Sequence, residues 1–191
     1  HLPGAHATQA FEASRSKVTH WLNAGDVGQI IFTHGATSAL NLLAYGLEHL
    51  FNPGDEIVIS ALEHHANLLP WQQLAQRRDA KLVILPLDAD GLIDLDAAAP
   101  LIGPQTRLLA ISQLSNVLGA WQPLPALLAM AKAHDALTVV DGAQGVVHGR
   151  HDVQALGCDF YVFSSHKLYG PDGLGVTFAR NAALSQLQHW Q

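Results

Sequence analysis

The sequence predicts an α/β domain: a mostly parallel sheet with one antiparallel strand and helices on both faces. Three observations carry this. Short apolar runs rich in Val, Ile and Phe alternate with stretches of helical spacing. The turns between them are brief and marked by Gly, Pro, Asp and Asn. One late pair of strands has no helix between them, whereas a parallel neighbour needs a crossover.

In chain order, residues 8–23 have helical spacing, with Phe11, Val18, Trp21 and Leu22 facing one way. Residues 29–33 (QIIFT) read as a short buried strand, and His34-Gly35-Ala36 as a turn. Thr37 opens a helix through residue 50 with Leu40, Leu43 and Leu47 on one stripe. Pro53-Gly54 breaks the chain before the strand 56–60. A helix over 67–78 has Pro70 in its first turn, where the missing N–H is tolerated. Strands follow at 81–86, 107–112, 137–140, 160–163 and 176–179, with helices at 95–101, 124–134, 152–156 and from 181. The link from 163 to 176 is the one without a helix, so that pair is expected to be antiparallel. Loops bearing polar motifs follow strand C-termini, where open α/β sheets bind ligands.

The 191 residues suit one domain, 49% are hydrophobic and 14% charged, and the net charge is -6. No run of Lys and Arg points to nucleic acid, and the acidic balance argues against an anionic membrane surface. The longest apolar stretch, 39–51, is broken by Asn41, Glu48 and His49 and falls short of the ~20 residues a membrane span needs. The lone cysteine, Cys158, excludes an internal disulfide framework and fits a reducing, cytoplasmic compartment. The only methionine is Met130, and the chain reads as a segment of a longer protein.

Five strand-end motifs carry chemistry. Phe163-Ser164-Ser165-His166-Lys167 places an amine at the sheet's ligand edge, with Ser164 and His166 able to donate to a phosphate. Taken alone, the pentapeptide favours a solvated lysine. In Val139-Val140-Asp141-Gly142-Ala143-Gln144, a carboxylate ending a buried strand needs a partner, such as a protonated pyridine nitrogen. Capping of the following turn is equally open there. Gly35-Ala36-Thr37 lies at a strand-to-helix turn that offers N–H groups to a phosphate, or is capped by Thr37. Glu63-His64-His65-Ala66-Asn67 presents an imidazole for ring stacking or proton transfer, with a metal ligand or surface pair as the other readings. No metal-ligand spacing supports the metal reading, and no metal is expected. Ser115-Asn116-Val117-Leu118-Gly119 brings an amide toward a ring oxygen, or is a plain turn.

Together these stretches resemble the class V aminotransferase superfamily, and within it the group II cysteine desulfurases of the SufS and CsdA type, related to selenocysteine lyase. The matching segments are EHHANLLPW, SNVLG, VDGAQGVVH and DFYVFSSHKLYGPDGLGV, in the family's order across nearly the whole chain. The resemblance implies a fold-type I large domain binding pyridoxal 5'-phosphate (PLP) over residues 1–191, with an N-terminal segment and a C-terminal small domain lying outside it. It implies Lys167 as the Schiff-base lysine, Asp141 on the pyridinium nitrogen and Gln144 on the phenolic oxygen. His64 then stacks on the ring and acts in proton transfer. Ala36, Thr37, Ser164 and His166 take the phosphate side, and Asn116 sits by the substrate and the ring oxygen.

The implied reaction removes sulfur from L-cysteine, giving alanine and a persulfide for an acceptor protein in iron–sulfur cluster assembly. The enzyme is expected to be a homodimer, with its nucleophilic cysteine outside this chain and the segment alone inactive. Cys158 is expected to pack as a small hydrophobe. Selenocysteine lyase, a kynureninase-like enzyme and a non-catalytic PLP-binding fragment are the rival readings. Two departures from the family pattern stand out: Ala36 where a second threonine is common, and Ser165 where glycine is common.

Overall fold

The structure, a computed structural model, describes residues 2–188, with side chains from residue 4. Seven strands form one sheet: β1 (Ile30–Thr33), β2 (Glu56–Ser60), β3 (Lys81–Leu85), β4 (Thr106–Ser112), β5 (Leu137–Asp141), β6 (Phe160–Ser164) and β7 (Gly175–Ala179). Their order is β1-β7-β6-β5-β4-β2-β3. All pairings are parallel except those of β7, which runs antiparallel to both β1 and β6. The helix-free link after β6 thus yields the expected antiparallel neighbour, with Phe163 opposite Val176.

The helices are α1 (Leu2–Trp21), α2 (Gly35–Gly46), α3 (Leu69–Arg78), α4 (Leu95–Ala98), α5 (Leu124–Lys132), α6 (Val153–Leu156) and α7 (Asn181–Leu184). Side chains alternate across each strand, so the sheet feeds two apolar layers. Ile57, Ile59, Leu108, Ala110, Val139, Phe160 and Val162 meet Leu40, Leu43, Trp71 and Leu74 of α2 and α3. On the other face Val58, Leu109, Ile111, Val140, Tyr161 and Phe163 meet Leu127, Leu128 and Ala131 of α5 and Val153 of α6, with Val18 and Trp21 of α1 packed alongside. Cys158 is buried in that second layer, and burial pushes its thiol up to about 12. No helix among the described residues is long and apolar enough to cross a membrane.

Some boundaries differ from the sequence reading, for tertiary reasons. β1 is not a buried strand: it lies at the sheet edge with β7 as its one neighbour, and residues 31–33 are only half-buried. The helix placed at 8–23 begins at Leu2, and its Phe11 is exposed, held edge-on to Phe32 at 5.2 Å between ring centroids. α2 opens at Gly35, not Thr37, because a φ of 83° at Gly35 turns the chain from β1 into the helix at once.

Candidate active site

One cavity of about 240 Å³ lies where the ends of β2, β4, β5 and β6 meet the N-terminus of α2. The nine residues singled out in the sequence all line it: Ala36, Thr37, His64, Asn116, Asp141, Gln144, Ser164, His166 and Lys167. Ala66, Ser112, Leu114 and Ala143 complete the lining.

Asp141 ends β5 and is buried. The Ala143 N–H donates to its Oδ1 at 2.9 Å, so the side chain does cap the turn that follows. Among the described residues, no hydrogen bond reaches Oδ2. Burial raises the carboxyl above its ordinary 3.8, while the Ala143 N–H and the charges of His64 and Lys167 pull it back. A buried carboxylate with one open oxygen at a cavity wall suits a cationic N–H donor.

Lys167 sits in the 3-10 turn Ser165–Leu168 directly after β6. Ser165 ties that turn down. Its N–H donates to the Leu174 carbonyl at 2.9 Å, its carbonyl accepts from the Gly170 N–H at 2.9 Å, and its hydroxyl donates to the Pro171 carbonyl. A side chain is therefore used at this position. The left-handed conformation falls instead on Tyr169, with φ 58° and its side chain in solvent.

On the α2 side, the Ser164 hydroxyl accepts the Ala36 N–H at 2.8 Å, leaving its own proton to donate. The helix N-cap is His34, which makes no side-chain capping bond, so capping does not account for Thr37. His166 Nδ1 stands 3.4 Å from Asp172 Oδ1. A Cβ on Gly175 would lie 2.5 Å from the Gly35 carbonyl oxygen, so the helix end rests on β7 and only glycine permits it.

His64 caps the turn His65–Asn67: its Nδ1 accepts the Ala66 N–H at 3.1 Å. That bond assigns the neutral ring's proton to Nε2. In the Asn116 loop, the Ser115 hydroxyl accepts the N–H groups of Val117 and Leu118 at 3.2 Å each. The donor set matches a phosphorylated pyridine aldehyde: hydroxyls and helix N–H groups for the dianion, a carboxylate for the ring nitrogen and an amine for the aldehyde.

The family profile described as Aminotransferase class-V matches residues 1–191. The chain belongs to the class V aminotransferase family. A probable cysteine desulfurase of Pseudomonas putida is 77% identical over 191 residues, which is 100% of this chain and 48% of that protein. The crystal structure of the cysteine desulfurase CsdA (S-sulfonic acid) from Escherichia coli is similar with a TM-score of 0.94 at 44% identity, covering 98% of this chain and 47% of that one. A mutant of C-DES with glycine covalently linked to its PLP cofactor is similar with a TM-score of 0.88 at 26% identity, covering 98% and 50%. The chain spans about half the length of the relatives it matches.

This class V aminotransferase chain holds a further site residue to which the sequence reading assigned no role. Glu63 receives the Ser60 hydroxyl at 2.6 Å, the Asn67 amide at 2.7 Å, the Ser112 hydroxyl at 2.6 Å and the Ser112 N–H at 3.0 Å. It thereby joins the ends of β2 and β4 to the turn that carries His64. Burial pushes its carboxyl above the ordinary 4.5, and the hydrogen bonds pull it back. The signal was present in the sequence: an acid just after a buried strand needs a partner, the same argument applied to Asp141. Glu63→Ala leaves the Ser112 and Asn67 donors without their acceptor, and is expected to cost about 1–3 kcal/mol in urea unfolding and to loosen His64. Unchanged stability would show that water replaces the carboxylate without loss.

Proposed function

We propose that residues 1–191 are the large, PLP-binding domain of a fold-type I cysteine desulfurase. The observation that carries this reading is the meeting of Lys167 and the half-satisfied carboxylate of Asp141 in one cavity beside the N-terminus of α2. PLP, when bound, supplies an electron sink for a carbanion at the substrate α-carbon. In this reading Lys167 Nζ anchors the cofactor covalently and moves the α-proton. Asp141 holds the proton on the pyridine nitrogen, and Gln144 bonds the phenolic oxygen. His64 packs on the ring and exchanges protons at Nε2. Thr37, Ser164, His166 and the Ala36 turn hold the phosphate, and Asn116 faces the substrate.

The proposed substrate is L-cysteine. Its sulfur passes to an enzyme thiol, so that cysteine plus thiol becomes alanine plus persulfide with no oxidant required. Cys158 is not that thiol, being buried and held protonated at neutral pH. The nucleophile therefore lies outside these 191 residues. The same reading extends to a homodimer in the cytoplasm that delivers sulfur to an acceptor protein for iron–sulfur clusters. Adding PLP, reducing with borohydride and mapping peptides is expected to label Lys167. No adduct, or one at Lys81 or Lys132 instead, refutes the assignment. The chain alone is expected to release neither sulfide nor alanine from L-cysteine.

A further inference from the structure

The turn bearing Asp141 and Gln144 is gripped by a polar chain that starts inside the apolar layer of α1 and α5. The buried Tyr161 hydroxyl donates to Gln113 Oε1 at 2.6 Å. Gln113 Nε2 stands 3.3 Å from His151 Nδ1, and His151 Nε2 stands 2.9 Å from the Gly145 carbonyl oxygen. One polarity satisfies every atom. A carbonyl only accepts, so His151 Nε2 carries the proton, and Nδ1 accepts from the Gln113 amide. Burial holds the His151 ring below its ordinary 6.5, against the upward pull of the Gly145 and Val146 backbone contacts and with His148 adding to the lowering, which favours the neutral form.

The contact with the turn is direct. A Cβ on Gly145 would lie 2.2 Å from Gln113 Oε1, and one on Gly142 would lie 2.3 Å from the Tyr161 hydroxyl oxygen. The Gln113 N–H also donates to the Asp141 carbonyl at 2.8 Å. The His151 ring stacks on Tyr161 with centroids 5.9 Å apart, flanked by Trp21 at 6.3 Å and Trp121 at 6.4 Å. None of Tyr161, Gln113 and His151 lines the cavity.

We propose that His151, acting through Gln113, Tyr161 and the Gly145 carbonyl, is a positioning residue that sets how Asp141 and Gln144 meet the cofactor ring. This rests on the PLP reading of the cavity. The two ideas separate in one experiment on the apoprotein and its PLP-loaded form. His151→Leu fills the aromatic slot without hydrogen bonds. His151→Gln can still accept from Gln113 and donate to Gly145. PLP affinity is measured by titration, and the pH midpoint of the bound cofactor's visible band by absorbance.

The leucine variant is expected to bind PLP roughly tenfold more weakly, the scale of one lost hydrogen bond, and to shift the midpoint. The glutamine variant is expected to restore both. Tyr161→Phe, which keeps the packing, is expected to shift the midpoint in the same direction by less. A leucine variant that matches the parent overturns the positioning role, as do leucine and glutamine variants impaired alike, since that pattern marks packing alone. If the leucine variant fails to fold, an unshifted Tyr161→Phe overturns it instead. A parent protein with no label on Lys167 refutes the PLP reading, and this inference with it.

Discussion

Lys167→Ala is expected to keep its fold and to lose the borohydride-trapped pyridoxyl label. The fold survives because Ser165, not Lys167, holds the turn through its N–H, carbonyl and hydroxyl. The Lys167 side chain is exposed and makes no hydrogen bond among the described residues. Deleting it should leave the melting temperature within the small range usual for surface changes. The chemistry is another matter, since among the described residues Lys167 is the only lysine lining the cavity. Without an amine there, no covalent link to the cofactor aldehyde forms. In a protein complete enough to turn over cysteine, loss of this proton carrier is expected to lower the rate about 10²- to 10⁴-fold. Peptide mapping by mass spectrometry reads the first effect and alanine release the second. A specific label on Lys81 or Lys132 that is unchanged in Lys167→Ala would end the assignment.

Asp141→Asn is expected to move stability and cofactor affinity in opposite directions. Asparagine can still accept the Ala143 N–H through its carbonyl oxygen, so the turn keeps its bond. The amide, however, now points donors where a pyridinium N–H must donate. Truncating one partner of a buried, hydrogen-bonded charge pair costs roughly 2–4 kcal/mol, or about 30- to 1,000-fold in affinity. PLP titration of the apoprotein reads this.

Stability of the apoprotein goes the other way. The folded carboxyl holds its proton more tightly than the unfolded one, so ionisation costs folding energy. That cost is absent below the unfolded value of 3.8, grows as the pH rises from there to the folded value, and is fully present above it. Asparagine never bears it. The variant should therefore melt higher than the parent at neutral pH, with each kcal/mol worth about 2–4 °C at this chain length, and the gain should vanish in acid. A variant that melts lower at neutral pH would show that the carboxylate is already paired within the protein. This trade of stability for affinity is what a preorganised binding site predicts.

Much of the fold was legible because its signals are local. The run EIVIS, bounded by Pro53-Gly54, became β2 with the expected ends. Pro70 sits in the first turn of α3, as proline chemistry requires. The lone helix-free link announced the reversed strand β7. Local patterns failed where distant neighbours decide. Nothing in QIIFT says that it lies at a sheet edge, because burial of a strand depends on which strands flank it. Thr37 reads as a cap from its residue type, yet the helix begins before it, since Gly35 turns the chain and Ser164 takes the Ala36 N–H.

The sequence by itself determined the alternation of strands and helices and the single reversed strand, because apolar period and turn chemistry are written within a few neighbouring positions; the roles of the candidate residues came from the resemblance of several motifs to a known family. The tertiary structure alone decided the strand order, the clamp of Glu63 on Ser112, and the chain from Tyr161 through Gln113 and His151 to Gly145. Glu63 and Ser112 stand 49 positions apart, and Gln113 and Tyr161 48. A hydrogen bond over such a separation leaves no periodic trace in the chain; it exists only once the sheet has brought its partners within 3 Å of each other.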